Sequence, residues 1–184
     1  MADTDAGDSL KVARAVITIR IAGFDPGLSR TGWGVIAMSG AKLTHVANGV
    51  IVTTTALSLG ERLAVLHAGI RAVLTEHTPD AVAVEQAFVA KDPLAALKIG
   101  HARAIALLAA AEAGLEIGEY SPNHIKKSVV GVGHADKAQV QAMVKRLLPT
   151  ARFTAADAAD ALACAIAHAH LAGTRARVIA ALAQ

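Results

Sequence analysis

The sequence is short of cysteine, proline and aromatic residues. Of 184 residues, one is cysteine, five are proline, and the aromatics are Phe24, Phe88, Phe153, Trp33 and Tyr120 alone. A single cysteine, Cys164, excludes an intramolecular disulfide framework, and its apolar surroundings predict a small core residue. With so few rings, the core must be built from Ala, Val, Leu and Ile, and any exposed ring asks for a role. A long apolar run is also missing: the longest uncharged stretch, Leu43–Gly60, carries His45, Asn48, Ser58 and four threonines. No uncharged run therefore supplies the roughly 20 apolar residues of a spanning helix. Met1–Asp8 hold three aspartates where a secretory signal is basic and then apolar. Disorder is excluded by a hydrophobic fraction of 54%. What remains is the expectation of a soluble, cytoplasmic domain with no membrane partner, of a size that one core can serve.

Residues 1–15 are polar and aperiodic and read as a flexible extension, 16–173 as the folded domain, and 174–184 as a short basic tail. The domain opens with a β-branched strand, Ala15–Phe24, closed by Asp25-Pro26-Gly27. Strands over Gly32–Met38 and Lys42–Thr53 follow across a Ser39-Gly40 turn, short connections that imply an antiparallel meander. The period then changes to 3.6. Ser58 and Glu61 make a capping box ahead of Leu59, Leu63, Leu66, Ile70, Val73 and Leu74. Ala81–Val84 reads as a buried central strand ending in Glu85. Asp92-Pro93 caps an Ala-rich helix reaching about Ala113. A strand over Leu115–Tyr120 precedes helices around Pro122–Val130, Ala135–Leu148 and Thr154–Ala172. The order predicts an α/β fold, a mixed five-stranded sheet of three antiparallel and two parallel strands with helices on both faces. That is the order of the ribonuclease H-like architecture.

Four carboxylates stand out. Asp25 and Glu85 close two strands which, as neighbours, bring both groups to one edge of the sheet. Asp157 and Asp160 are three residues apart and share a helix face. Four such groups together would repel and raise one another's pKa values unless cations neutralised them. Oxygen donors without nearby Cys or His suit Mg²⁺ or Mn²⁺, and two such ions serve phosphodiester hydrolysis without a protein nucleophile. Each residue also has a plainer reading. Asp25 suits an ordinary turn, and Asp157 suits a capping box with Thr154. Glu85 is costly in an apolar strand without a partner, and Asp160 lies a turn deeper among alanines.

In these residues the chain resembles the RuvC family of Holliday-junction resolvases. The matching blocks are Gly23–Gly27 with Thr31-Gly32-Trp33-Gly34, then Val84–Phe88 with Ala90-Lys91, then Lys98-Ile99-Gly100 with Ala102-Arg103, then Val129–Gly133, and last Ala156–Ala163. They fall in the family's order across residues 18–172. The resemblance implies a homodimer that cuts two opposed strands of a four-way DNA junction with a metal cofactor, Mg²⁺ or Mn²⁺, two per active site. It implies a place in recombination and DNA repair beside a branch-migration complex of RuvA and RuvB type. Carried over, the catalytic and metal-binding carboxylates are Asp25, Glu85, Asp157 and Asp160. The family's basic residues fall on Lys126 and Lys137, with Lys127 adjacent, and its junction-contacting aromatic on Phe88.

Charge agrees with this. Between Asn123 and Arg152 stand Lys126, Lys127, Lys137, Lys145, Arg146 and Arg152 against Asp136 alone, whereas residues 1–90 hold seven positive and eight negative charges. A localised basic face is the footprint of a phosphate backbone, although a solvated helix face looks the same in sequence. His134, in the loop after Gly131 and Gly133, is placed to touch phosphate, and Phe88 to stack on an unpaired base or to fill a gap under its loop. His168 and His170, two apart on a helix, make a poor metal pair. Ala95, Ala96, Gly100 and Ala102 allow close helix contact, either as a dimer surface or as an ordinary core-facing side of the helix. Three competing readings are a ribonuclease H-like nuclease acting on structured RNA, a non-catalytic junction-binding protein, and an actin-like ATPase. The last needs a second domain that 184 residues do not accommodate.

Overall fold

The computed structural model describes residues 17–86 and 92–182, with side chains as far as residue 173. Phe88 and Lys91 lie outside the described residues. The chain runs β1 (Thr18–Asp25), β2 (Arg30–Ser39), β3 (Lys42–Val52), α1 (Leu59–His77), β4 (Ala81–Glu85), α2 (Pro93–Glu112), β5 (Glu116–Tyr120), α3 (Pro122–Val130), α4 (Lys137–Leu147) and α5 (Ala156–Leu182). The sheet order is β3-β2-β1-β4-β5. The first three strands pair antiparallel, and β4 joins β1 and β5 in parallel. This is the mixed sheet expected from the element order.

The period-2 alternation of the central strands divides the core into two layers. Ile21, Ile36 and Ala83 face α3, α4 and α5, where they meet Ile125, Val144 and Leu162. Ala22, Phe24, Val82 and Val84 face the opposite way, onto Ile70 and Val73 of α1 and Ala106 and Ala110 of α2. Each fully buried Ile, Leu, Val or Phe contributes about 1.5–3 kcal/mol of burial free energy, so the sheet is held from both sides. Phe24 is fully buried, Trp33 packs beside it, and Cys164 is an inert core residue of α5.

Local signals place the helix starts. Ser58 and Glu61 form the predicted reciprocal cap of α1. Asp92 caps α2 through the N–H groups of Leu94 and Ala95, with Pro93 as its first residue. Four expectations change. Leu59 is exposed rather than part of the apolar stripe of α1. Helix α5 continues to Leu182, past the end expected near Ala172, because Gly173 weakens the helix without ending it and no proline stops it. Helix α2 does reach the length and apolarity of a membrane span on composition, despite Lys98 and Arg103. Its alanines at 106, 109 and 110 are buried against the sheet and α1. Finally, Ala102 belongs to the chain's own core beside Leu28 and Leu66. The outward stripe of α2 is Leu94, Leu97 and Leu108 instead.

Candidate active site

Asp25 is the last residue of β1, and Glu85 the last of β4. Phe24 pairs with Val84 across these parallel strands, so the two carboxylates leave the sheet side by side at its carboxyl edge. The turn after Asp25 is braced by buried Thr31. Its hydroxyl donates to the Gly27 carbonyl at 2.9 Å and accepts from the Gly27 N–H at 3.3 Å.

Asp157 and Asp160 arrive from α5, which rests on a seat of three glycines. Gly23 faces Gly34 across β1 and β2, and Gly32 faces Asp25. A Cβ at Gly23 would overlap the Ala161 carbonyl, one at Gly32 would overlap the Asp157 carbonyl, and one at Gly34 would come within 2.6 Å of Leu162 Cδ2. Absence of side chains at these points lets the helix backbone lie directly on the strands. The helix begins at Ala156, which leaves Thr154 outside the cap position, so a Thr154–Asp157 capping box does not describe this end.

Asp25, Glu85 and Asp160 line one open cavity of about 360 Å³ with Lys126, Lys137 and an apolar wall of Ile125, Val140 and Ala163. Lys137 Nζ lies 2.7 Å from Asp160 Oδ2. Asp157 is turned to the side, its Oδ2 accepting from Arg30 Nε at 2.8 Å. Burial pushes the Asp25 carboxyl up to about 7, and the charges of Asp160 and Asp157 add to that while Lys137 opposes it. Burial likewise pushes Glu85 up to about 8, helped by Asp25 and Asp160 and opposed by Lys137 and Lys126. The hydrogen bond to Asp160 raises the Lys137 ammonium pKa and keeps it charged.

Among the described residues, no three ligating side chains converge on one point. Asp157 and Asp160 are each turned to a cationic side chain instead. The donor set nonetheless fits a hard divalent cation. Among the described residues the cavity lining offers carboxylates and no Cys or His, and burial, with the neighbouring carboxylates, drives Asp25 and Glu85 toward their neutral forms, which a bound cation would offset.

The basic residues divide. Lys126 and Lys137 face the carboxylates, while Lys127 is exposed and outside the cavity lining. His134 is exposed in the turn before α4 and also outside the lining. Lys145 and Arg146 sit in the last turn of α4, about 12 Å along the helix axis from Lys137. Lys145 Nζ stands 5.4 Å from the ring centroid of Phe153. His168 hydrogen-bonds Tyr120 and His170 the Ser128 carbonyl, each at 2.9 Å, so neither pairs with the other around a metal. Arg30 and the glycine seat are the two features that sequence reasoning missed as functional. Glycines at alternate positions of β2 were the available signal for the seat, and nothing local marked Arg30.

Comparison with known proteins places these residues in context. The sequence family described as crossover junction endodeoxyribonuclease RuvC matches residues 21–168. The crossover junction endodeoxyribonuclease RuvC of Parvibaculum lavamentivorans is 58% identical over 166 residues, covering 90% of this chain and 95% of that protein. The Paracoccus denitrificans protein of the same description is 61% identical over 152 residues, covering 83% and 92%. Among solved structures, the T. thermophilus RuvC in complex with Holliday junction substrate superposes with a TM-score of 0.80 at 37% identity, covering 85% of this chain and 96% of that one. The fold is therefore ribonuclease H-like.

Proposed function

The chain belongs to the RuvC family of crossover junction endodeoxyribonucleases, and from that premise we propose how its own residues nick two opposed strands of a four-way DNA junction. It is a phosphodiester hydrolase of DNA by membership. The observation that carries the residue assignment is the meeting of Asp25, Glu85 and Asp160 with Lys126 and Lys137 in one cavity, with Asp157 beside it.

Asp25, Glu85, Asp157 and Asp160 would hold two Mg²⁺ or Mn²⁺ ions, with Asp25 as the ligand common to both. Ions held there would supply an activated water and stabilise the leaving oxygen. Lys137 changes partner during the reaction. It neutralises Asp160 and turns to a phosphate oxygen when that carboxylate takes another partner. Lys126 approaches the same phosphate from α3. The apolar wall of Ile125, Val140 and Ala163 limits the water around the scissile group and strengthens these charge interactions. Phe88, three residues beyond Glu85 in the sequence, is assigned to base stacking at the junction. Lys127, His134, Lys145 and Arg146 lie farther out and serve the phosphates of the arms.

Two identical sites match two equivalent strands, so the functional unit is a two-fold dimer. The exposed leucines of α2, Leu94, Leu97 and Leu108, are the surface we assign to it. Family membership supports a cytoplasmic enzyme that works beside a branch-migration complex of RuvA and RuvB type. The test compares cutting of a synthetic four-way junction, the linear duplex of the same sequence and a structured RNA, in Mg²⁺, in Mn²⁺ and in EDTA. Paired nicks in the junction alone, lost in EDTA, support the reading; equal cutting of RNA or duplex overturns it.

A further inference from the structure

Arg30 does more than neutralise Asp157. It stands on the α5 face of β2, the same face as Gly32 and Gly34, and its side chain is half exposed. Its Nε is committed to Asp157, and the residue also lines a second open groove of about 540 Å³. The floor of that groove is β3 at Asn48, Gly49 and Val50, and its far wall is the segment Arg152–Ala155 with Ala158 of α5. Among the described residues, no acidic side chain lines it.

The wall is built rather than loose. Asn48 Nδ2 donates to the Arg152 carbonyl at 3.2 Å, and Asn48 Oδ1 is itself held by His45 Nε2 at 2.7 Å. Arg152 Nη1 donates to the Pro149 and Ala151 carbonyls at 3.0 and 3.2 Å, which holds its guanidinium in place. The neighbouring Phe153 ring carries Lys145 over its face, adding a third positive charge to that side. Arg30 thus belongs to two places. It touches the carboxylate site through Asp157 and opens onto a basic groove that the catalytic chemistry does not use.

Building on the junction-cutting assignment, we propose that this groove binds the sugar-phosphate backbone of the DNA strand that continues from the scissile phosphate, with Arg30 and Arg152 as its phosphate-binding residues. Planar guanidinium groups suit phosphate oxygens, and two arginines lining one open channel, with no carboxylate among its described lining residues, fit a passing strand rather than a small enclosed anion. Arg30 then couples the two places. A strand phosphate that draws its guanidinium outward releases Asp157 for the cation, so strand seating and completion of the carboxylate set go together.

The salt dependence of junction binding tests this, measured in EDTA so that no cutting intervenes. Each lost phosphate contact lowers the slope of log K against log salt by about one. Arg30→Gln and Arg152→Gln are each expected to lower it by about that amount, and the double variant by about two, with melting temperatures that confirm folding. Arg71→Gln, on the exposed outer side of α1, is the control and should leave the slope unchanged. Unchanged slopes in folded Arg30 and Arg152 variants overturn the proposal, as does an equal drop in the Arg71 variant. Failure of the underlying assignment would show separately, as an unsubstituted chain that does not cut junctions.

Discussion

Lys137 Nζ lies 2.7 Å from Asp160 Oδ2, joining the first residue of α4 to the second aspartate of α5 across the mouth of the cavity. The ammonium therefore sits beside a carboxylate that a cation would also claim. Replacing it by glutamine removes the one charge that opposes the repulsion at both Asp25 and Glu85. Lys137→Gln is expected to reduce junction cutting at saturating Mg²⁺ by about 10²-fold, the usual cost of losing a donor aimed at developing charge. Single-turnover kinetics on a bound junction measure it, and the loss should lie in the rate rather than in binding alone.

The cavity's carboxyls also make the protein's stability depend on pH. Asp25 and Glu85 are raised from the ordinary 3.8 and 4.5 to about 7 and about 8, so the folded chain binds more protons than the unfolded chain between those limits. Stability from these groups is full below their ordinary values and falls as pH rises through about 7 and about 8. Thermal melts of the metal-free protein should show a falling melting temperature across that window. Mn²⁺ should restore more stability on its alkaline side than on its acid side. Its binding should also release protons, detectable by calorimetry in buffers of different ionisation enthalpy.

The glycine seat under α5 predicts opposite effects of one substitution at two glycines. Gly32→Ala places a methyl against the Asp157 backbone and is expected to cost 1–3 kcal/mol or more, about the range for overpacking, and to displace Asp157. Gly60→Ala, in the first turn of α1 with nothing within 4 Å, is expected to gain about 0.4–1 kcal/mol. Denaturant titration of the two variants checks both signs.

If α2 carries the dimer contact, a charge in its leucine stripe separates the protomers. Leu97, with a relative exposure of 59%, costs little fold stability when replaced. Leu97→Asp should therefore remain folded but sediment as a monomer, and it should nick junctions singly instead of in pairs. A dimer that persists in this variant removes α2 from the interface.

Much of this was legible in sequence because the signals were local. Pro122–Val130 reads correctly from its proline and Gly131, and Ser58 with Glu61 marks the start of α1 without reference to anything distant. Asp25 and Glu85 were legible as a pair because each closes an apolar strand. What escaped depends on pairing across the chain. Arg30 meets Asp157 over 127 residues of sequence, and no pattern around either predicts the other. Ala102 looked like part of an outward small-residue face, but the rotation of α2 was fixed by Leu28 and Leu66 on other elements. The end of α5 was expected near Ala172, but the helix formers beyond Gly173 carry it on to Leu182.

The central claim, that these carboxylates cut DNA and do not merely shape the fold, is tested most directly by Asp25→Asn. The side chain is nearly the same size and still fits the turn that Thr31 braces. The account predicts a folded protein that binds four-way junctions as well as the unsubstituted chain, or better for the lost negative charge, and cuts none of them in Mg²⁺ or Mn²⁺. Cutting at an undiminished rate, or loss of junction binding together with folding, would contradict it.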